Sequence, residues 1–288
     1  MEIRLLRYFL TIANAGTISQ AARILHVTQP TLSRQLKALE QELETELFSR
    51  DKQHLQFTEA GRYLKSRAEE ILALTDATTQ AFADRQQELF SGHLAIGCVE
   101  SANSAFVAQK LEEFMATYPQ ITFDLYTQTS DAIVDQLDKG LLDLAVLLEP
   151  IQTEKYHTWQ LPQIECWGLL VSKDSPLARQ EAILPEQVTQ LPLLISTRPD
   201  VQALIATWSK HALNELQIIG NFNLSYNVIP LVAHQVGVAV RIEGAPIDQE
   251  QLKFVPFEPA LTTCGVLVWR RDREVSAVAH RFIQLFAD

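Results

Sequence analysis

Residues 17–43, TISQAARILHVTQPTLSRQLKALEQEL, hold two helical patterns separated by a tight break. Small and apolar residues recur at helical spacing in the first pattern, and Thr17 or Ser19 can cap its start. Thr28 is a good N-cap for the second pattern, in which leucines recur every three or four residues. The stretch therefore predicts two short helices joined by a tight turn.

The polar face of the second helix carries hydrogen-bonding and cationic side chains rather than a mixture rich in acids. Its members are Gln29, Thr31, Ser33, Arg34 and Lys37. A helix that reads DNA must fit the major groove, carry donors for base edges and be flanked by groups that bind phosphate. The pair of helices therefore indicates DNA binding. The alternative is that these residues only solvate an exposed helix face.

The sequence on either side extends the same unit. Residues 3–15 place apolar side chains at helical spacing, and Gly16 ends that helix. From Ser49 to Phe57, turn residues followed by an alternating pattern predict a small β-wing with Arg50 and Lys52 at its base. Three helices and a wing are therefore expected at the start of the chain.

A long helix is predicted after the wing. Thr58 can cap it, and residues 59–90 carry a stripe of apolar or small side chains at near-heptad spacing. The stripe consists of Leu64, Ala68, Ile71, Thr75, Thr78, Phe82 and Leu89. A helix of this length has no core of its own, so we expect it to pair with a partner helix.

After Ser91-Gly92 the pattern changes to strands that alternate with helices. The first set has strands at 93–99, 121–126 and 142–148 and helices at about 104–117 and 130–139. A second set begins near Cys166, and further strands and a helix follow to Phe286. This order predicts two α/β lobes. The chain is expected to cross between them around Glu149–Gln160 and Glu243–Phe257, which would form a hinge with a cleft.

Composition and charge narrow the class of protein. The 288 residues are 47% hydrophobic and 20% charged, which fits a globular protein of about two domains. Lys and Arg number 24 against 35 Asp and Glu, for a net charge of −11, yet the first 67 residues carry ten basic and seven acidic groups. This asymmetry indicates that only the first segment meets a polyanion.

The sequence contains no sign of a catalytic, metal or membrane-bound protein. Cys98, Cys166 and Cys264 form no C-x-x-C pair and lie in apolar settings, so reduced core thiols are expected, with redox sensing as the rival. The histidines lack metal-ligand spacing, and no nucleophile elbow, P-loop or dinucleotide-binding motif occurs. Without a signal pattern or a membrane-length apolar run, the expected location is the cytoplasm, with no membrane partner.

The first 65 or so residues resemble the LysR-type transcriptional regulators. The segments that carry the resemblance are Phe9-Leu10-Thr11-Ile12-Ala13, Thr17-Ile18-Ser19-Gln20-Ala21-Ala22, Val27 to Leu36, Leu39-Glu40, Leu47-Phe48-Ser49-Arg50 and Thr58-Glu59-Ala60-Gly61. Beyond them the resemblance concerns the order of elements and includes Leu231 to Ala239. Glu44 departs from the pattern, since the family commonly has Gly there, so the turn after the second helix is expected to be longer or continuous.

The resemblance implies an α/β protein overall. An all-α winged helix-turn-helix (1–58) and a linker and dimerisation helix (59–90) would precede an effector-binding domain (91–288) similar to periplasmic solute-binding proteins. Its two lobes would comprise approximately 91–155 plus 258–288, and 156–257. The implied partners are a double-stranded DNA operator, a small-molecule effector and further copies of the chain, as a dimer and usually a tetramer. RNA polymerase is a further candidate partner, and no cofactor is expected.

Roles on DNA follow from side-chain chemistry. Gln29, Ser33 and Arg34 are the candidates for reading bases, because amide, hydroxyl and guanidinium groups match base edges. The candidates for phosphate contacts are Thr28, Thr31, Lys37, Arg50 and Lys52.

Candidate effector contacts lie where predicted strands end and helices begin, because unpaired N–H groups there favour anions. They are Ser101, Asn103, Thr129, Ser130, Ser196, Thr197 and Asn227. The same residue types are also ordinary helix caps. Arg241 is a second departure from the family pattern, a cation in an apolar strand that can pair with Glu243 or Glu100 or bind an organic anion.

Two other classes of protein remain open from sequence alone. A metabolite-binding protein could use the N-terminal helices only to dimerise, and specific DNA binding would exclude it. An enzyme could use the α/β cleft, although the missing motifs argue against it.

Overall fold

A computed structural model describes most of the chain. The described residues are 1–51, 54–84, 91–152, 154–244 and 250–286. Contacts divide the chain into two compact units, Met1–Gln86 and Gln87–Asp288. Within the described ranges, no helix has the length and apolar character that a membrane span requires.

The first unit has three short helices, a two-stranded hairpin and a long helix. These elements are α1 (Ile3–Ala15), α2 (Ile18–Ile24), α3 (Gln29–Glu42), β1 (Phe48–Asp51), β2 (His54–Phe57) and α4 (Glu59–Asp84). Thr17 caps α2 by accepting from the N–H of Gln20, and Thr28 caps α3 by accepting from the N–H of Thr31. The predicted helix pair and wing are therefore confirmed.

One apolar core joins these elements. The ring of Phe9 from α1 lies 5.4 Å from that of Phe48 in β1, and Phe48 lies 5.1 Å from Phe57 in β2. Leu32, Leu36 and Leu39 of α3 are buried in the same cluster. The buried side of α3 is therefore its leucine side, and the opposite side is left to solvent.

The stripe predicted on α4 divides between two faces. Leu64 and Ala68 are buried with Leu72 in the core of their own unit, whereas Ile71 and Leu74 are 36% and 44% exposed. The prediction of a single stripe was wrong, because a helix that packs on α1 has its own inner face. The side chain of Phe82 and the whole of Leu89 lie outside the described part of the chain.

The turn after α3 keeps the form that glycine would give it. The helix ends at Glu42, and Glu44 takes a left-handed backbone conformation with φ 52°. The expectation of a longer or continuous turn was therefore wrong. The chain reaches β1 through the same tight turn by placing an exposed glutamate in a conformation that costs non-glycine residues about 1 kcal/mol.

The second unit alternates strands and helices. Its strands are β3 (Gly92–Cys98), β4 (Ile121–Thr127), β5 (Leu144–Leu148), β6 (Tyr156–Ser172), β7 (Leu193–Ser196), β8 (Ile218–Phe222), β9 (Val238–Ile242), β10 (Leu252–Pro256) and β11 (Thr262–Arg270). Its helices are α5 (Asn103–Thr117), α6 (Ser130–Lys139), α7 (Pro185–Val188), α8 (Pro199–Ser209), α9 (Val228–Ala233) and α10 (Ala277–Gln284).

These nine strands form one mixed sheet in the order β4-β3-β5-β11-β6-β9-β7-β8, with β10 also paired to β6. Helices cover both faces of its first half. Leu94 and Ile96 of β3 are buried in the cluster that contains the inner sides of α5 and α10. Gly97, on the opposite face, lies so close to Ile133 of α6 that a Cβ there would be 2.6 Å from it.

The strand β6 connects the two lobes. Its residues 156–166 pair with β11 of the first lobe, and residues 167–172 pair with β9 and β10 of the second. A strand beginning near Cys166 after a crossing at Glu149–Gln160 was expected, but β6 already begins at Tyr156. The reason for the difference is that polar, exposed positions and Pro162 make the first part of β6 resemble a linker.

The return crossing lies at the end of the segment Glu243–Phe257 that the sequence indicated. Residues 252–256 form β10 and pair with the second-lobe part of β6, so the chain crosses back between Phe257 and Leu261. Even this segment is held to β6, because Trp167 accepts from the N–H of Phe257 and donates to the carbonyl of Leu261. The two segments that cross between the lobes, β6 around Trp167 and residues 257–261, are therefore joined by backbone hydrogen bonds.

Candidate functional site

The outer face of α3 presents the predicted polar residues in one place. Gln29, Arg34 and Lys37 are exposed, and Thr31 and Ser33 are half-buried. Pro30 occupies the first turn of the helix, where its missing N–H costs no helical hydrogen bond. The first turn therefore offers N–H groups, hydroxyls and an amide, and the next two turns add the cations Arg34 and Lys37.

Thr28 and Thr31 are joined to each other at the start of α3. Their hydroxyl oxygens lie 2.8 Å apart, and Oγ1 of Thr28 also accepts from the N–H of Thr31 at 3.4 Å. Each hydroxyl keeps further lone pairs or a proton for a ligand. These contacts hold the backbone at the start of α3, and this structural role does not depend on a phosphate contact.

The wing is attached to α3 by a carboxylate. Glu40 Oε1 accepts from the N–H of Leu47 at 2.9 Å and from that of Phe48 at 3.5 Å. Glu40 is therefore committed to this structural contact. The side chain of Arg50 is not described, and Lys52 lies outside the described residues.

A cavity opens in the second unit where the two lobes meet. Its volume is about 90 Å³, and the elements around it end or begin there: β3, β5, β7 and β8 at their carboxyl ends, and α6 and α8 at their first residues. Ligands of open α/β sheets bind at such strand ends. The polar residues that line it are Glu100, Gln128, Thr129, Ser130, Trp167, Ser196, Arg198, Asn223, Ser225 and Arg241.

Four of the eight predicted effector residues line this cavity. They are Thr129, Ser130, Ser196 and Arg241. Thr129 is also the N-cap of α6, where its hydroxyl accepts from the N–H of Ala132 at 3.5 Å. Ser196 similarly accepts from the N–H of Arg198 at 3.2 Å. Thr129 therefore combines the roles of cap and cavity wall, whereas the hydroxyl of Ser196 closes a turn just before α8, whose N-cap is Arg198.

The other four predicted residues are not among the lining residues. Asn103 is completely buried and uses its side chain on β6, with Nδ2 donating to Gln163 O and Oδ1 accepting from Gln163 N. Ser101 is buried outside the lining, and Thr197 donates its backbone N–H to Phe222. Asn227 begins α9, which has only six residues.

Buried polar atoms without a partner concentrate in the cavity. Among the described residues, seven buried side-chain nitrogen or oxygen atoms have no hydrogen-bond partner, and six of them belong to residues that line this cavity. These six are Gln128 Oε1, Ser130 Oγ, Trp167 Nε1, Arg198 Nε and both terminal nitrogens of Arg241. Leaving a buried polar atom unpaired costs about 1–3 kcal/mol. This arrangement is typical of a site that a polar ligand completes.

Arg241 is the most unusual of these residues. It is 3% exposed, and the only described hydrogen bond of its side chain runs from Nε to the carbonyl of Ile242 at 3.0 Å. Burial lowers the pKa of its guanidinium, and the charge of Glu100 opposes that shift. Of the two partners considered from sequence, Glu100 is therefore the one that acts on it, and both terminal nitrogens remain available to an anion.

Sequence reasoning did not single out Gln128, Trp167, Arg198, Asn223 or Ser225. Gln128 directly precedes the predicted cap Thr129, and Arg198 follows the predicted pair Ser196-Thr197, so neighbouring positions gave a usable signal for both. Trp167 lies in the middle of a buried strand, where nothing in the local sequence separates a cavity wall from core.

The three cysteines are free thiols in the structure. Burial raises the pKa of Cys98 to about 11, which disfavours the reactive thiolate. Cys166 and Cys264 are half-buried and unpaired. No set of three or more potential metal ligands comes together in the described part of the chain.

Comparison with known proteins assigns both units. Residues 3–62 match the family described as bacterial regulatory helix-turn-helix protein, lysR family, and residues 87–288 match the LysR substrate binding domain. The HTH-type transcriptional regulator BsdA of Bacillus subtilis (strain 168) is 29% identical over 294 residues, covering 99% of this chain and 100% of that protein. YtlI, an HTH-type transcriptional regulator of the same organism, is 33% identical over 64% of this chain and 58% of its own length.

The fold also matches a solved structure over its whole length. The crystal structure of full-length CbnR in complex with its target DNA superposes with a TM-score of 0.78 and covers 100% of this chain and 99% of that one. Sequence identity is 20%, so this likeness concerns the fold.

Proposed function

The chain belongs to the LysR family of bacterial helix-turn-helix regulators, and from that premise we propose that it binds a specific operator through α3 and the wing under control of a small organic anion. The family consists of transcriptional regulators rather than enzymes. The functional division follows the ranges 1–58, 59–90 and 91–288. The site of action is the cytoplasm.

On DNA, Gln29, Ser33 and Arg34 read base edges from the exposed side of α3. Arg34 is suited to a bidentate contact with guanine. The phosphate contacts that hold the helix in register come from Thr28, Thr31, Lys37, Arg50 and Lys52. The exposure of Gln29, Arg34 and Lys37 on one helix face supports this assignment.

The effector binds in the cavity between the lobes. The observation that carries this proposal is the set of six unpartnered buried polar atoms around one cavity, with Arg241 among them. A buried guanidinium without a paired carboxylate favours an anion, since a carboxylate can accept from both terminal nitrogens. The effector is therefore an organic anion.

Self-association uses α4. Ile71 and Leu74 leave an apolar face on this helix, and pairing with the same face of a second chain covers it. A dimer places two α3 helices on a roughly two-fold symmetric operator, and association of dimers gives a tetramer. RNA polymerase is the partner through which a bound regulator of this kind acts at a promoter.

Effector binding changes DNA binding through the balance between two quaternary states. A ligand shifts that balance only by binding one state more tightly than the other. The spacing of the DNA-binding heads, and with it the bending of DNA, then changes.

The test is enrichment of genomic fragments by the purified protein at physiological salt, followed by footprinting of the enriched fragment. The expected result is one protected region with two symmetric half-sites. Enrichment no better than that of random DNA, with and without added cell extract as a source of effector, would contradict the proposal. It would favour a metabolite-binding protein.

A further inference from the structure

The cavity between the lobes contains charges of both signs. Arg198 and Arg241 bring two guanidinium groups, and Glu100 brings a carboxylate. Arg198 is paired with Asp200 at 3.9 Å. In the described part of the chain, no ion pair within 4.0 Å joins Arg241 to Glu100 or to another acid, although the charge of Glu100 acts on it at longer range. A ligand that carries only a negative charge compensates the positive charge of the guanidinium groups, but it also places a second anion near Glu100.

Glu100 already makes one contact across the cleft. It follows β3 in the first lobe, and its Oε2 accepts from the backbone N–H of Ser225 in the second lobe at 2.6 Å. This single hydrogen bond does not exhaust a carboxylate, which offers about four lone-pair positions. The group therefore remains an acceptor for a donor that enters the cavity.

The unpartnered atoms divide in the same way. Arg198 Nε, Arg241 and Trp167 Nε1 can only donate, whereas Gln128 Oε1 accepts. Ser130 Oγ can do either. A simple carboxylate has acceptors only, so it satisfies the donors but leaves Gln128 Oε1 without a partner and Glu100 with only the N–H of Ser225. An ammonium group supplies three donors for these two acceptors.

The two sets of partners lie on different lobes. Glu100 and Gln128 follow strands of the first lobe, and Arg198 and Arg241 belong to the second. A ligand held only by its carboxylate binds one lobe, whereas a ligand with an ammonium at the other end is held by both. The remaining wall is apolar and formed by Val99, Leu148, Val201, Phe222, Leu224, Val240 and Ile242.

We propose that the effector is a small zwitterionic amino acid with an apolar side chain, whose carboxylate binds Arg241 and whose ammonium binds Glu100 and Gln128. This inference rests on the proposed function and narrows its organic anion to one chemical class. The small volume and the apolar wall limit the side chain to the size of a few carbon atoms.

The test uses matched sets of ligands on the full chain. Each set holds an amino acid, the acid without its amino group and the amine without its carboxylate: alanine with propionate and ethylamine, valine with isovalerate and isobutylamine, leucine with 4-methylpentanoate and isopentylamine. Binding is measured by calorimetry and by tryptophan fluorescence, since Trp167 lines the cavity. At least one amino acid should bind about tenfold or more tightly than its deaminated acid, because the acid leaves Gln128 Oε1 unpaired and brings a second negative charge near Glu100.

Variants separate the two ends of the ligand. Glu100→Gln should remove most of the preference for the amino acid over the deaminated acid, and Arg241→Met should weaken both. Glu243→Gln is the matched control, because Glu243 is an exposed carboxylate two residues beyond Arg241 and does not line the cavity. Circular dichroism of each variant establishes that it is folded.

The outcomes distinguish this inference from the proposed function. Deaminated acids that bind as tightly as the amino acids, in a manner that depends on Arg241, would overturn the zwitterion and retain the organic anion. Failure of every amino acid to bind would also overturn the zwitterion. Carboxylate binding that survives Arg241→Met would overturn the proposed effector site itself, while footprinting would still test the DNA-binding function separately.

Discussion

Asn103 donates two hydrogen bonds to Oε1 of Glu165, from its side-chain Nδ2 at 3.0 Å and from its backbone N–H at 3.3 Å. Both residues are essentially inaccessible to solvent, at 0% and 1% exposure. The same side chain completes the hydrogen bonding of Gln163, next to the irregularity where the pairing of β6 with β11 shifts register. The first residue of α5 is thus tied to the strand that both lobes share.

Replacement of Asn103 by alanine should destabilise the second unit by about 1–3 kcal/mol, because it removes the side-chain donor to the buried carboxylate of Glu165 and leaves the strand backbone at Gln163 without its partners. The backbone N–H of residue 103 still donates to Glu165 in this variant. All four tryptophans lie at or beyond residue 159, so urea denaturation followed by tryptophan fluorescence reports on this unit. Asn214→Ala, at an exposed asparagine, is the control. Equal midpoints for the two variants would show that the Asn103 contacts contribute little.

Stability of the second unit should depend on the protonation of Glu165. Burial raises the pKa of this carboxyl above its ordinary value of 4.5, although hydrogen bonds from Asn103 oppose the shift. The folded state therefore binds the proton more tightly than the unfolded state, and the associated stability is lost as pH rises through the folded-state pKa. Glu165→Gln keeps an oxygen acceptor and should lose less stability between pH 4.5 and neutrality. Parallel curves for the two proteins, measured by urea midpoint, would count against this.

Arg34→Ala should lower the affinity for the specific operator by about 1–3 kcal/mol and relax the preference for it, because a bidentate contact with a base is lost. Lys52→Ala should instead weaken specific and random DNA alike and reduce the dependence on salt. Gel-shift titrations over a series of salt concentrations measure both effects. Arg281→Ala, an exposed arginine of α10, is the matched control. An equal loss at specific and random sites for Arg34→Ala would remove its role in reading bases.

Charged residues on the exposed face of α4 should dissociate the protein. Changing Ile71 and Leu74 together to glutamate places like charges where the paired helices meet. Light scattering should then give a lower mass while circular dichroism stays unchanged. Leu72→Glu serves as a contrast, because Leu72 is 8% exposed and its substitution should unfold the first unit instead. An unchanged mass for the double variant would place the dimer contact elsewhere.

Glycine at position 44 should stabilise the first unit by about 0.5–1 kcal/mol, since the left-handed backbone there costs glutamate more than glycine. Ala38→Gly, at an exposed position within α3, should cost about 1 kcal/mol. Far-ultraviolet circular dichroism during urea denaturation measures both. Destabilisation of the same size at both positions would contradict the assigned turn.

Local sequence predicted most of the elements because each carries its own signal. The starts of α2 and α3 are predicted by their N-caps, Thr17 and Thr28, and the extent of α3 is predicted by its leucines. The extent of β6 was missed because its first part pairs with β11, about a hundred residues away, and no local pattern reports that pairing. The two faces of α4 were merged for a similar reason, since only packing on α1 separates Ile71 from Leu72.

The effector cavity was predictable in part. Residues at strand ends and helix starts, such as Thr129 and Ser196, fall in the cavity because the topology brings those ends together. The same rule also selected Asn103, which has the right position along the chain but points its amide to β6. Arg241 was predicted as an effector contact because it is a charged residue in an apolar strand. Trp167 is an apolar residue in an apolar strand, so its sequence context does not distinguish it from core.

The continuity of β6 limits how the lobes can move. A change in their relative angle has to twist or shear a ladder of backbone hydrogen bonds, because Trp167 is bonded to both Phe257 and Leu261 at the crossing. Such a ladder resists wide opening and favours rotations of small amplitude. The indole of Trp167 also lines the cavity. A ligand that contacts this ring therefore contacts β6 at the residue where the strand passes from one lobe to the other.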